Sequence, residues 1–475
     1  MRAVRVGGKL RRLRQERRLN QVQMAAELGI SASYLNLLES NQRPVTVNVL
    51  LRLAERFKVD LAALGGDDNA RLASDLMEAL SDPLFDEADV KSSDVQELAA
   101  TLPNMARAIL ALYKAHQRGG AADVAPGAPD SEPPGIGIPS EEVTDFLQER
   151  GNYFDPLEKA AEALWDEHKL ALFTLQRDLV SVLADRFAVD VEIVASEAMP
   201  GLLRNYDPLR RKLLLSEMLP AQSRAFQLAH QIALLGYKRE IGAIVSGGKF
   251  TSPESDALAL GALANYFAAA VLMPYDRFLA SARQTRYDTN ILQHRFSVSF
   301  EQVCHRLTTL RRAGAEGIPF HLIRVDIAGN ISKRYSSSGI HIARFGAACP
   351  RWNVYDAFAT PGMLRVQVSR MPDGSSYFCI ARTSEAVARA TPRGGLPTRV
   401  GQQSIGLGCG LHLAKEIVYS DGLNLDDPQI VTPIGVSCRS CPRSDCNDRA
   451  MPSLSQKLVI DENRRGLSTY ANASG

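Results

Sequence analysis

Three cysteines near the C-terminus have the spacing of a metal site. Cys438, Cys441 and Cys446 form a C-x2-C-x4-C run within nine residues. Such a run places three thiolates in one short loop, and Cys409, in the run LGCGL, is the best candidate for a fourth. Four thiolates suit either a tetrahedral zinc ion or an iron–sulfur cluster. The spacing does not decide between the two.

A disulfide pair or a set of free thiols is the alternative to a metal at this run. The chain has seven cysteines, an odd number that disfavours complete pairing. Three arginines that flank the run would offset the negative charge of metal-bound thiolates: Arg439, Arg443 and Arg449. Three further cysteines stand singly among apolar residues and are predicted to be ordinary core side chains: Cys304, Cys349 and Cys379.

The stretch RAFQLAHQIALLGY, residues 224–237, resembles half of a zinc peptidase motif. In H-E-x-x-H, two histidines one helical turn apart hold zinc and the glutamate activates water. Here His230 is followed by Gln231 and by Leu234 at the second histidine position. One histidine cannot hold a catalytic zinc, and a glutamine cannot accept a proton from water. The chain is therefore predicted not to be an enzyme, and His230 is more typical of a hydrogen-bonded helix residue.

Basic and aromatic residues surround this degenerate motif in the sequence. Cationic groups around an apolar slot suit a ligand with a phosphorylated head and a short apolar tail. The alternative is a solvated basic hairpin, which for any single residue is the commoner arrangement. The candidate ligand contacts are Tyr153, Arg204, Tyr206, Arg210, Arg211, Lys212, Arg224, His230 and Tyr266.

The N-terminal segment has the charge and the pattern of a DNA-binding head. Residues 1–65 contain 12 Lys and Arg against 5 Asp and Glu, whereas residues 66–100 contain 2 against 10. Residues 7–62 show apolar side chains at helical spacing, and Asn20 and Ser31 can each cap a following helix. Gly29 supplies the tight corner between two of these helices. The pattern predicts a helix-turn-helix, and a basic head favours a polyanionic partner.

The remaining elements predict a multidomain α+β protein. An all-α head, residues 1–66, precedes an acidic helical segment and a Pro/Gly/Ala-rich linker, residues 67–140, with a helix over 93–116. An α+β middle domain follows at 141–315. A β-rich C-terminal domain with a cysteine site and a helical insertion around LGCGLHLAKEIVY occupies 316–475. No uninterrupted run of about 18 apolar residues and no signal peptide are apparent, which favours a cytoplasmic protein that does not span a membrane.

Each part resembles a known family. The run Q-x-x-x-A-x-x-x-G-I-S resembles the Xre/lambda-repressor-like DNA-binding domain. This resemblance implies that a recognition helix enters the major groove, and that Arg14 and Glu39 form an internal ion pair. It also implies a dimer on a two-fold operator. The predicted contacts to double-stranded DNA are Gln21, Ser31, Ala32, Ser33, Asn36, Asn41 and Arg43.

The runs R-x-F-x-L-A-H and A-N-x-F-A-A-x-x-L-M-P resemble the ImmA/IrrE peptidase-like domain, without its catalytic residues. With the tail G-V-x-C-R-x-C-x-R-x-x-C, the whole chain resembles the short-chain fatty acyl-CoA responsive transcriptional regulators. This resemblance implies a homo-oligomeric transcription factor, dimer or tetramer, that senses CoA or a short-chain acyl-CoA. It also implies a [4Fe-4S] cluster held by Cys409, Cys438, Cys441 and Cys446, with zinc as the alternative.

Three other functions compete with that interpretation. A metallopeptidase that cleaves a partner repressor is contradicted by Gln231 and Leu234. An iron- or redox-sensing regulator would use the cysteine site as its signal and bind no acyl-CoA. A phage-type repressor or an antitoxin would explain the head alone and leave the cysteine-rich tail without a role.

Overall fold

The computed structural model divides the 475-residue chain into two compact units, Met1–Ala111 and Leu112–Gly475. The predicted DNA contact Asn41 and the centre of the predicted linker, residues 121–137, lie outside the described residues. The structure describes residues 10, 14, 19–39, 43, 49, 52, 53, 56, 57, 68–80, 82–85, 90, 92–120, 138–344, 348–384, 402–453, 467, 468 and 470.

The first unit contains the helix-turn-helix. Helices α1 (Gln21–Leu28) and α2 (Ala32–Glu39) are joined by Gly29, whose φ of +62° is easily adopted only by glycine. Asn20 caps α1 with a complete capping box, as the sequence predicts. The two helices share one apolar core, formed by Leu10, Met24, Ala25, Leu28, Leu35, Leu38, Val49, Leu53 and Phe57.

The acidic segment after the head is helical. Its helices are α3 (Asp68–Ala79), α4 (Ser92–Thr101) and α5 (Pro103–Gly120). The single helix predicted over 93–116 is therefore two helices. Proline lacks an amide hydrogen and favours the first turn of a helix, so Pro103 begins a new one.

The middle of the chain is a helical layer around a small sheet. Strand β1 (Asp190–Val194) pairs in parallel with β3 (Lys212–Ser216), and β2 (Arg204–Asp207) pairs antiparallel with β3. Strands β2 and β3 therefore form a hairpin. The helices are α6 (Pro139–Glu149), α7 (Asp155–His168), α8 (Leu175–Phe187), α9 (Ala221–Gly236), α10 (Lys238–Val245), α11 (Pro253–Leu272), α12 (Tyr275–Gln284), α13 (Thr289–Phe296) and α14 (Phe300–Thr308).

Helix α11 is the core helix of this layer. It is the one described helix whose length and mean hydropathy would suit a membrane span, but 56% of its apolar window is buried inside the protein. It packs along α9, which carries His230, and against α7. Its apolar character therefore reflects its place in the core.

The C-terminal part is a six-stranded sheet in the order β5-β4-β8-β7-β6-β9. The predicted helical insertion begins later than expected, because Leu407 to Gly410 belong to β8. Its helical part consists of two 3-10 helices, Leu411–Glu416 and Val418–Ser420. The strands are β4 (His321–Asp326), β5 (Ile331–Ser336), β6 (Arg365–Arg370), β7 (Ser376–Thr383), β8 (Gln403–Gly410) and β9 (Val431–Pro433), and a short helix α15 (Asn353–Asp356) covers β6, β7 and β8.

The two faces of this sheet pack against different partners. On the helix-side face, Leu407 and Cys409 belong to the same apolar cluster as α9, α11 and α14. On the opposite face, which we call the Trp352 face, Cys379 packs with Cys349 and Trp352. Side chains alternate along a strand, so neighbouring residues of β7 and β8 point to opposite faces.

Helix α6 closes the free edge of the sheet at β5. The Gln148 side-chain amide donates to the Ser336 carbonyl at 2.7 Å and accepts from the Ser336 amide at 2.9 Å. Two arginine–carboxylate pairs, Arg334 with Glu141 and Arg344 with Asp145, hold the same helix. The amide of Gln148 thus takes the place of a neighbouring strand.

A fully buried ion pair joins the helices of the middle layer. Arg306 donates to both carboxylate oxygens of Glu158, to the Met273 carbonyl at 2.9 Å and to the Thr309 hydroxyl at 3.0 Å. The Tyr266 hydroxyl donates to the same carboxylate at 2.6 Å. Arg306 and Glu158 are 0% and 1% exposed, so neither charge has water to replace a lost partner.

Removal of one partner of this pair should destabilise the second unit strongly. We expect Arg306→Met to lower the free energy of unfolding by about 3–5 kcal/mol, because Glu158 would keep a buried charge without its partner. The exposed pair of Lys159 and Asp155 provides the control: Lys159→Met should cost less than about 1 kcal/mol. Urea denaturation of both variants tests this, and equal losses would contradict it.

Candidate functional site

The recognition helix of the head presents polar side chains to solvent. Ser31, Ser33 and Asn36 are exposed, whereas Leu35 and Leu38 on the other side of α2 are buried. Ala32, beside them, is half-buried, and Arg43 is exposed. The exposed side of α2 therefore carries hydrogen-bonding groups that suit base edges and phosphates.

An internal ion pair supports that helix. Arg14 Nε donates to Glu39 Oε1 at 2.7 Å and Arg14 Nη2 donates to Glu39 Oε2 at 3.0 Å, which confirms the predicted pair. Gln21 Nε2 donates to Glu39 Oε2 at 3.0 Å and lies 3.3 Å from Asn36 Oδ1. Glu39 is buried and thereby connects the start of α1 to α2.

The degenerate peptidase motif lies on α9, and His230 faces Arg204 of strand β2. The Arg204 guanidinium donates to Nδ1 of His230. A ring N–H of His230 donates to the Gly261 backbone, so both ring nitrogens are engaged. Burial, and then the charge of Arg204, lower the pKa of His230 to about 4. The imidazole is neutral at pH 7 and has no free lone pair for a metal.

Arg204 is a partly buried cation with a neutral partner. Burial lowers its pKa. Among the described residues no carboxylate forms an ion pair with it, and its hydrogen bond goes to the uncharged imidazole of His230. A guanidinium in this state has unused capacity for an anion.

The structure does not gather all the other predicted ligand contacts around this pair. Lys212 forms an ion pair with Glu192, and Arg224 donates to the carbonyls of Leu219 and Glu217. These two cations therefore stabilise the local fold. Three further candidates lie on the hairpin of β2 and β3: Tyr206, half-buried, and Arg210 and Arg211, both exposed.

The two remaining tyrosines belong to the core. Tyr266 is buried against the Arg306–Glu158 pair and also accepts from the Phe154 amide. Tyr153 donates to Asp155 at 2.9 Å and accepts from Arg312 at 3.2 Å. Both hydroxyls are used within the protein.

The cysteine loop, residues 438–446, is built around a buried arginine. Arg449 is 5% exposed and donates to the carbonyls of Cys438 at 2.6 Å and Cys441 at 3.0 Å, and to those of Arg443 and Met451. In the described part of the chain no carboxylate pairs with Arg449. A buried guanidinium without a counter-ion fits a site that becomes anionic when thiolates bind a metal.

Cys409 does not lie with this loop. It is 0% exposed on the helix-side face of β8, opposite Phe378 in register. Its neighbour Gly408 faces the other way, since an added Cβ there would be 2.8 Å from Cys379 Sγ. Cys409 therefore lies on the face of β8 that packs against the helices, and its role as the fourth ligand stays a prediction.

The pKa of His230 gives a prediction about pH. The unfolded imidazole binds a proton below about pH 6.5, whereas the folded one does so only below about 4. Between these values the unfolded chain binds more protons, so His230 should lower stability as the pH falls from 6.5 to 4. NMR titration of the His230 ring should give a midpoint near 4.

Two variants isolate this effect. His305 and His321 are also buried with lowered pKa values, so His230→Gln should remove only part of the pH dependence measured by urea denaturation. Arg204→Met should raise the pKa of His230, because the nearby positive charge is lost. A midpoint near 6.5 in the wild-type protein would contradict the prediction.

Three family models together match most of the chain. They are "Helix-turn-helix" over residues 10–64, "IrrE N-terminal-like domain" over 184–308 and "Short-chain fatty acyl coenzyme A regulator, C-terminal" over 309–470. The predicted multidomain α+β architecture agrees with these matches.

Relatives match over nearly the full length. HTH-type transcriptional regulator PrpR of Mycobacterium tuberculosis H37Rv is 40% identical over 98% of this chain and 95% of its own. HTH-type transcriptional regulator RamB of the same species and the Propionyl-CoA carboxylase regulator of Cereibacter sphaeroides are each 40% identical over 98% of both chains. A solved structure, "Mycobacterium tuberculosis transcriptional regulator", is 41% identical, covers 70% of this chain and 100% of its own, and has a TM-score of 0.66.

Proposed function

Since this chain belongs to the short-chain fatty acyl-CoA regulators, which are transcription factors and not enzymes, we propose that CoA or a short-chain acyl-CoA binds it at Arg204. The observation that carries the proposal is the half-buried guanidinium of Arg204, whose described partner is the neutral imidazole of His230. CoA brings phosphate groups, which arginine binds through paired hydrogen bonds. The exposed cations of the hairpin, Arg210 and Arg211, would meet the rest of the anionic ligand.

Ligand binding at this site would act on transcription through the arrangement of two DNA-binding heads. A ligand shifts such an arrangement only by binding one state better than the other. A tenfold change in operator affinity needs about 1.4 kcal/mol of that preference. One or two ionic hydrogen bonds at Arg204 can supply this amount, because each contributes about 1.5–3 kcal/mol. A homo-oligomer, dimer or tetramer, provides the two heads.

The cysteine loop supports a second part of the proposal, a metal site in the C-terminal domain. Three thiols in one short loop suit either a tetrahedral zinc ion or an iron–sulfur cluster. The family resemblance implies a [4Fe-4S] cluster, with zinc as the alternative. Such a cluster would supply iron and redox sensitivity, while Cys438, Cys441 and Cys446 would hold it.

An iron- or redox-sensing regulator without an acyl-CoA ligand is the alternative function. Arg449 favours some anionic group at the cysteine loop, but it does not distinguish a structural from a sensing role. The partly buried Arg204 favours the acyl-CoA sensor, because an iron- or redox-sensing regulator would bring no anionic ligand to this cation. Measurement of ligand binding separates the two.

Replacement of Arg204 should weaken ligand binding. We expect Arg204→Met to reduce the affinity for propionyl-CoA about 10- to 100-fold, the factor that corresponds to loss of about one ionic hydrogen bond. Isothermal titration calorimetry of the full chain measures this. Arg177→Met, which removes an exposed cation on α8, is the control and should bind like the wild type. No binding by the wild-type protein would refute the acyl-CoA proposal.

Replacement of Asn36 should affect specific DNA binding. The proposed contacts on α2 include Ser31, Ser33 and Asn36, with Gln21 near a phosphate. We expect Asn36→Ala to lower the affinity for an operator selected from a random DNA pool by about 1–3 kcal/mol, with little change on unselected DNA. Ala26→Ser on α1 is the control. Equal losses on both kinds of DNA would show that Asn36 does not read bases.

A further inference from the structure

Cys349 lies directly against the segment after β9 that leads into the cysteine loop. Its backbone amide donates to the Val436 carbonyl at 3.0 Å, two residues before Cys438. The indole of Trp352, three residues further on, donates to the Gly435 carbonyl at 3.0 Å. The segment that begins at Cys349 therefore donates two hydrogen bonds to consecutive carbonyls at the entry to the loop, which fix the two segments to each other.

The thiol of Cys349 faces the same space as the loop thiols. It is 6% exposed, it lies near Cys438 and Cys441, and it accepts a hydrogen bond from the Gly435 backbone N–H. Gly435 also touches Cys441, since a Cβ at this glycine would be 2.9 Å from Cys441 Sγ. The same residue thus contacts both thiols, and any side chain at position 435 would obstruct the space between them.

Cys409 is separated from this space by the sheet itself. Cys349 packs on the Trp352 face with Ile434, and Cys409 packs on the helix-side face with Leu407. The charged groups that affect the Cys409 thiol are Cys379 and Glu416, and none of them belongs to the cysteine loop. For Cys409 to reach the loop, strand β8 would have to turn over and lose its pairing with β4 and β7.

We propose that Cys349, rather than Cys409, supplies the fourth thiolate of the metal site in the cysteine loop. The inference deepens the function proposed above and rests on its metal site. Each of the four thiols would lose its proton on binding iron or zinc, and the thiolates would carry negative charge into a region that is mostly buried. Cys349 and Cys441 are 6% and 8% exposed. The guanidinium of Arg449, already fixed to the loop carbonyls, provides the positive charge that such a site needs.

Serine variants of the full chain test the assignment. The protein is reconstituted without oxygen with iron and sulfide, and bound iron and sulfide are measured per chain. We expect Cys349→Ser and Cys441→Ser each to lose most of the bound iron. Cys409→Ser and Cys304→Ser, which alter buried thiols on the other side of the sheet, should keep the wild-type iron content. Loss of iron in Cys409→Ser with retention in Cys349→Ser would overturn the proposal.

A second measurement does not depend on how the variants fold. The wild-type protein is alkylated with iodoacetamide before and after removal of the metal by a chelator, and each cysteine is followed by mass spectrometry. Cys349 should gain reactivity together with Cys438, Cys441 and Cys446, while Cys409 stays unreactive. A Cys349 that remains unreactive while Cys409 becomes reactive would overturn the assignment.

The outcomes also separate this inference from the proposed function. If the wild-type chain takes up zinc and no iron, the cluster proposal fails, while the same four variants still identify the ligands from the zinc content. If the wild-type chain takes up neither metal, the metal site and the role of Cys349 both fail. The acyl-CoA proposal is then unaffected, because it rests on Arg204.

Discussion

The buried ion pair of Arg306 and Glu158 is the interaction on which the middle layer depends. It connects α7 to α14 and, through the Met273 carbonyl and the Tyr266 hydroxyl, to α11. Helix α9 packs along α11, so the position of His230 relative to strand β2 follows from this network. Two charges in a dry core contribute little net stability, but they allow few alternative arrangements of the helices. This network therefore fixes the helix that carries the candidate ligand site in one position.

The helix that carries the degenerate peptidase motif has a different chemistry in this chain. With Gln231 buried and His230 engaged at both ring nitrogens, α9 has no group that could activate water. What remains is a positive charge next to an uncharged hydrogen-bond acceptor. The Arg204 guanidinium can exchange its hydrogen bond with the neutral His230 for a stronger one with an anionic ligand. It suits the reversible binding that a regulator needs.

Local signals in the sequence predicted local structure well. Neighbouring residues were enough to predict the capping of α1 by Asn20, the corner at Gly29 and the loss of the peptidase ligands. The ion pair of Arg14 with Glu39 followed from the family resemblance. Tertiary partners were not readable. Tyr266 seemed a ligand contact because nothing in the sequence reveals Glu158, more than a hundred residues away. The place of Cys349 beside the cysteine loop was not readable either, because the hydrogen bonds that join its segment to Val436 and Gly435 span more than eighty residues.

The clamp of Gln148 on strand β5 has a consequence for solubility. Strand β5 ends the six-stranded sheet, and an open edge of this kind invites pairing with another chain. One side-chain amide occupies the donor and the acceptor of Ser336, and the two flanking arginine pairs keep α6 across the edge. A C-terminal fragment that begins after Glu149 would expose that backbone and should be prone to aggregation. Helix α6 thus protects the edge of a sheet that begins more than 170 residues later in the chain.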